Sequence, residues 1–266
     1  MSIHPSAVVD AGAKLGSRVT VGPFCVIESD TEIGDGCAIG PHAVIKRFTS
    51  LGPGCSVHAG AVLGYEPQDL AFKETESYVR VGANCVIREG VTIHRGTKAG
   101  SATETGEGCF LMANSHLAHN VRLGRQVILA NGVLLAGYVE VGDRAFISGN
   151  AAVHQFVRIG RLVMVSGCAG ISKDVPPFCV THGASMNEVV SVNIVGLRRA
   201  GMSAADRQAV RDAFRILYRS GLNVKQALAR IRAEFKEGPA IELCDFVASS
   251  RRGICGGSRG DADEGE

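Results

Sequence analysis

An aliphatic residue returns at every sixth position. Steps of six from Ile3 to Ile171 meet 29 positions, and 25 of them hold Leu, Ile or Val. An α-helix repeats near 3.6 and a half-buried strand near 2, so neither explains the period. Six-residue units that each turn one side chain inward describe short strands joined by tight bends, with coil stacked on coil. Two residues before each aliphatic stands a small or narrow residue, as at Ala7, Ala13, Val19, Cys25, Thr31 and Cys37. Gly often follows the aliphatic, as in Leu15-Gly16, Val21-Gly22 and Ile159-Gly160. The aliphatic is expected to point inward, the small residue to fill a crowded corner, and the Gly to relax the bend. Composition agrees: 34 Gly, 10 Phe, 4 Tyr and no Trp suit a narrow core better than a bulky one.

The four misses, Asp69, Thr75, Ala99 and Thr105, mark loops near 64–80 and 97–110. After Ile171 the pattern stops at Val175-Pro176-Pro177, and beyond Gly201 a helical period begins. Ser203 with Asp206 reads as a helix start. Val210, Phe214, Leu217 and Tyr218 form its apolar face, Val224 to Phe235 a second helix, and Ile241 to Ser250 a third. The expected organisation is mainly β: a parallel β-helix over residues 1–190, a helical domain over 191–255 and a disordered tail over 256–266. Lys plus Arg at 28 against Asp plus Glu at 26 gives no general attraction to nucleic acid. No secretory h-region and no apolar run of about 18 residues is present, so a soluble, cytoplasmic protein without a transmembrane segment is expected. Of nine cysteines, Cys25, Cys37, Cys55, Cys85 and Cys109 fall in the small slot, which reads as packing.

Loops ejected from a rigid repeat are where function concentrates. Beside them gather His94, His116, His119 and His154. Counting coils of eighteen, with about twelve residues discounted for each loop, stacks His119, Tyr138 and His154 near one corner. The segments Pro67-Gln68-Asp69-Leu70, Val91 to Thr97, Asn114 to Asn120, Ala152 to Phe156 and Asp174 to Pro177 resemble the UDP-N-acetylglucosamine O-acyltransferase family. The resemblance covers about residues 1 to 253 and includes Asn193 and Gly196-Leu197-Arg198-Arg199.

This resemblance implies a left-handed parallel β-helix, a homotrimer with active sites between subunits, and transfer of a (3R)-3-hydroxyacyl group. The donor would be acyl carrier protein and the acceptor the 3-hydroxyl of UDP-N-acetylglucosamine, the first step of lipid A synthesis. It implies His119 as general base and the Gly137 N–H as oxyanion donor. Gln68 and Asp69 would hold the sugar, with His94, His116, Tyr138, His154 and Gln155 lining the channel. Asn193 and Arg199 would meet the nucleotide, and Gly167 would set acyl length, its lack of a side chain favouring long chains. No cofactor or metal is implied. Four positions depart from the family pattern: Asn120 where Asp is common, Tyr138 for His, Ala71 for Lys and Ala200 for Arg. Arg207, Arg211, Arg215 and Arg219 recur every four residues and would steer the acidic carrier. Two other readings stay open: N-acylation of a 3-amino analogue, and a zinc carbonic anhydrase on the same fold.

Overall fold

The computed structural model describes residues 1–183 and 185–257. The tail expected over 256–266 lies outside the described residues from 258 on, while Gly256–Gly257 form a short strand. The hexads wind into a three-sided prism. The first face runs from Ser2–Ile3 through Phe110–Leu111 to Met164–Val165, the second from Val8–Val9 through His116–Leu117 to Gly170–Ile171, and the third from Lys14–Leu15 through Arg122–Leu123 to Arg158–Ile159. Pairing between coils is parallel and advances by eighteen, as in Leu117↔Leu135 and Leu135↔Val153. The aliphatic of each hexad points inward, with Leu117, Leu135 and Ile147 fully buried. Each strand contributes only a residue or two, so cohesion comes from the stack, every coil covering the apolar edge of the next.

The corners work differently from the expectation. Where Gly follows the aliphatic it is absent from the positive-φ positions, apart from Gly64 at the mouth of the first loop; it is needed because successive coils touch there. A Cβ at Gly52 would stand 2.6 Å from the Ala83 nitrogen, and one at Gly34 2.6 Å from the Pro53 nitrogen. The bend itself falls two residues later, at positive φ, and bulky residues occupy it: Phe24, Tyr138, Phe156 and Leu162. The small slot is as expected, and it carries an added bond. Cys37, Cys55 and Cys109 each donate their thiol to a Gly carbonyl of the following coil, at 3.2, 3.1 and 3.2 Å.

Both loops leave the corner between the second and third faces. Leu63 pairs with Ile93 and Ile93 with Leu117, so the insertions add twelve residues and then six. The second was expected to be twelve. Its shorter form brings Thr105 back into register, between Val81 and Leu123 on the third face.

Past Ile171 the prism adds one strand, Cys179–Thr181, whose Val180 pairs in parallel with Met164. An antiparallel strand, Glu188–Val192, turns the chain out. Among the described residues four helices follow: α1 (Ile194–Arg199), α2 (Ala204–Tyr218), α3 (Val224–Glu234) and α4 (Pro239–Ala248). Ser203 caps α2 by accepting from Asp206 N at 3.0 Å, as its sequence indicates. Gly238-Pro239 opens α4, since Pro suits a first helical turn.

Candidate active site

The corner between the second and third faces gathers most of the expected residues. An open groove of about 760 Å³ is lined there by Gln68, His116, His119, Leu134, Gly137, Ala152, His154, Gln155, Gly170 and Met186, among others. Its chemistry sits at His119 and Gly137, one coil apart. A Cβ at Gly137 would come within 2.5 Å of His119 Nε2, so only Gly lets this main chain lie against the imidazole edge. Among the described residues nothing accepts from the Gly137 N–H. An amide donor and an imidazole nitrogen thus share one point of the groove. Apolar positions Leu134, Ala152 and Gly170, on successive coils, extend from it along the second face.

His116 Nδ1 pairs with the Thr92 hydroxyl at 2.7 Å, and burial pushes its pKa down. His94 lies beneath, edge-on to His116 at 4.8 Å between ring centroids. Its Nδ1 is buried and has no partner among the described residues. Burial, then the neighbouring His116 and His119, lowers its pKa from 6.5 to about 4. Gln68 and Asp69 ride on the first loop, where Asp69 Oδ1 accepts from Ala71 N at 2.9 Å. The signal that sequence reasoning missed is Arg95, which ties this loop down. It is 3% exposed, reaches both Glu74 carboxylate oxygens at 2.7 Å and donates to the Thr75 carbonyl at 2.6 Å.

The ring ladder is corrected in one member. Tyr138 packs edge-on against His119 at 5.3 Å and stacks on Phe156 at 5.0 Å. Phe156, eighteen residues after Tyr138, takes the place assigned to His154, which lies in the groove with its Nδ1 3.3 Å from Arg252 Nη2. Three expected residues are not brought to the groove within one chain. Asn193 caps α1 and donates to the Leu162 carbonyl at 2.9 Å, at the corner between the third and first faces; Arg199 is exposed at the end of the same helix. Gly167 lies at the corner between the first and second faces, 3.5 Å from the Gly149 carbonyl measured from an ideal Cβ. Arg211 and Arg215 on α2 and Arg219, which caps its C-terminus, are exposed and Arg207 is half-buried, with Arg215 paired to Asp212 at 2.6 Å. Among the described residues no three His, Cys, Asp or Glu side chains converge in a metal-holding geometry.

Stacked hexads and a His-Gly groove define the hexapeptide-repeat transferase class, and the profile described as bacterial transferase hexapeptide (six repeats) matches residues 12–47, 30–65 and 102–137. The profile for domain 2 of UDP-N-acetylglucosamine O-acyltransferase matches residues 174–255. An acyl-[acyl-carrier-protein]–UDP-N-acetylglucosamine O-acyltransferase of Syntrophobacter fumaroxidans is 41% identical over 256 residues, covering 96% of this chain and 99% of that protein. The Synechocystis enzyme of the same name is 46% identical over 172 residues, 65% of this chain and 62% of that one. The crystal structure of a UDP-N-acetylglucosamine acyltransferase from Bacteroides fragilis superposes with a TM-score of 0.90 at 39% identity, covering 94% and 98% of the two chains. The chain belongs to the UDP-N-acetylglucosamine O-acyltransferase family, and its coil is left-handed, as the resemblance implies.

Proposed function

We propose that the chain transfers a (3R)-3-hydroxyacyl group from acyl carrier protein to the 3-hydroxyl of UDP-N-acetylglucosamine, the first step of lipid A synthesis, in the cytoplasm. The observation that carries the reading is His119 lying against the Gly137 main chain in a family member that aligns nearly end to end. His119 Nε2 takes the proton of the sugar hydroxyl as the oxygen bonds to the thioester carbonyl carbon. The carbonyl oxygen becomes an oxyanion that accepts from the Gly137 N–H. As the intermediate collapses, the C–S bond breaks and the carrier thiolate recovers the proton from His119. An ester and a free thiol result, with no acyl-enzyme. Gln68 and Asp69 hold the sugar, His94, His116, Tyr138, His154 and Gln155 shape the channel, and the acyl chain lies over Leu134, Ala152 and Gly170.

Asn193, Arg199 and Gly167 stand at the other two corners, which supports a homotrimer. In it, the nucleotide would meet Asn193 and Arg199 of a neighbouring copy, and the bare corner at Gly167 would leave room for a long acyl chain. The apolar outward stripe of Val86, Phe110, Ile128, Phe146 and Met164 on the first face supports burial against a second copy. The Arg stripe on α2 would steer the carrier. No helix among the described residues is long and apolar enough to cross a membrane.

The test is acyl transfer from a 3-hydroxyacyl carrier protein to UDP-N-acetylglucosamine, comparing the parent with His119→Ala. A fall of about 10² or more with the fold retained is expected. A parent that acylates only the 3-amino analogue would instead make the enzyme an N-acyltransferase.

A further inference from the structure

Only one nitrogen of His119 meets the groove. The other is tied into a chain of hydrogen bonds to which the reaction as described gives no part. His119 Nδ1 lies 3.2 Å from Asn120 Oδ1. That oxygen also accepts from the Thr97 main-chain N–H at 3.0 Å and lies 3.0 Å from Thr97 Oγ1. Thr97 Oγ1 in turn lies 2.9 Å from the Tyr138 hydroxyl.

The directions of these bonds are fixed by elementary chemistry. A main-chain N–H can only donate, so the Asn120 amide oxygen, not its NH₂, faces Thr97 and His119. An amide oxygen can only accept, so the His119 nitrogen facing it carries the proton. With the Thr97 hydroxyl donating to the same oxygen, a lone pair on Thr97 Oγ1 is left for the Tyr138 O–H. Donation therefore runs from Tyr138 to Thr97 to Asn120, where it meets the His119 Nδ1–H.

The backbone is built to hold this arrangement. Asn120 and Tyr138 sit at φ 60° and 59°, a conformation that Asn tolerates and Tyr disfavours. The Asn120 N–H donates to Thr103 Oγ1 at 2.7 Å, and Thr103 is fully buried. Tyr138 is kept in place by its ring contacts with His119 and Phe156. The same left-handed φ recurs at the corresponding bend of other coils, as at Phe24 and Phe156, so the fold itself fixes where Asn120 and Tyr138 stand.

We propose that Thr97 and Tyr138 are positioning residues for acyl transfer: through Asn120 they hold His119 in the Nδ1–H tautomer, leaving Nε2 bare toward the groove to receive the acceptor's proton. This rests on the reading of His119 as the general base. The junction is a neutral amide, so it orients the ring without placing a charge beside it.

The experiment pairs ¹⁵N NMR of the histidine side chains with steady-state acyl transfer. It compares the full-length parent with Tyr138→Phe, Thr97→Val, Thr97→Ser and His119→Ala, the last also assigning the His119 signals. The parent is expected to show a protonated Nδ1 and a bare Nε2 on neutral His119. Tyr138→Phe and Thr97→Val are expected to populate the Nε2–H tautomer and to lower kcat about tenfold with KM little changed, the scale of one hydrogen bond. Thr97→Ser, which keeps the hydroxyl, restores both. Should Thr97→Val not fold, Tyr138→Phe carries the test alone. Unchanged tautomer and kcat in Tyr138→Phe, with turnover still collapsing in His119→Ala, would overturn the positioning role and leave the base reading standing. A parent already in the Nε2–H form overturns it outright. Turnover surviving in His119→Ala removes the base and the positioning role together.

Discussion

His94 is a histidine that the fold keeps uncharged. Its ordinary value of 6.5 falls to about 4 in the folded chain because burial and two neighbouring histidines oppose a charge there. Between those two values the unfolded chain binds a proton that the folded one refuses, so stability falls as pH drops from about 6.5 toward 4 and levels off below. Urea unfolding of the parent should show that slope, and His94→Gln, which cannot titrate, should reduce it, leaving the part that His116 contributes through its own lowered pKa. The individual residues of the groove were largely legible, because His116, His119, Gly137, His154 and Gln155 lie in contiguous segments whose spacing survives intact. Phe156 and Thr97 were not. Phe156 is an apolar residue without chemistry of its own, and it enters the ladder only because eighteen residues separate it from Tyr138. Thr97 reaches the site because the loop after it folds back through Ser101, whose hydroxyl accepts from Lys98 N at 3.0 Å.

At the scale of elements, α2 carries the prediction that separates carrier recognition from chemistry. Arg211 and Arg215 stand exposed on one side of that helix, and no carboxylate among the described residues pairs with Arg211. Reversing both to Glu should raise KM for the carrier-borne donor by about tenfold at low salt, with the difference shrinking as salt screens it. KM for UDP-N-acetylglucosamine should hold. An unchanged KM for the donor would assign the stripe to solvent. Helix α2 itself was legible from its period and cap. The corners were misread in their mechanism, since sequence shows where Gly recurs but not whether a bend or a neighbouring coil demands it. Gly52 and Gly34 answer to the neighbouring coil, while Tyr138 and Phe156 take the strained conformation that Gly was expected to relieve. Likewise, nothing in the sequence around Arg95 shows that the folded loop will enclose it, with Glu74 and Thr75 as its partners.

For the whole molecule, the proposed nucleotide contacts of Asn193 and Arg199 stand at a different corner from the groove, so on that proposal a complete site would draw on two copies. Co-expressing His119→Ala with Arg199→Ala should therefore yield mixed trimers in which some sites carry neither change. Activity well above that of either variant alone is expected, and sedimentation should report three copies per particle. Activity no greater than the sum of the two separate preparations would mean that each chain works by itself. The overall architecture was the most legible level of all, since a period of six holds through 25 of 29 positions and leaves little choice of fold.

The insertions of twelve and six residues between Leu63, Ile93 and Leu117 have a further meaning. Both are whole numbers of hexads, so the chain is read like a text in six-letter words, and each loop is a parenthesis that closes without shifting the frame. Insertions of any other length would have to be absorbed where they occur, or every later aliphatic would swing from core to water. Loops could thus be lengthened or lost in steps of six while His119 and Gly137 stayed one line apart, which lets the margins of this site be rewritten without disturbing its spelling.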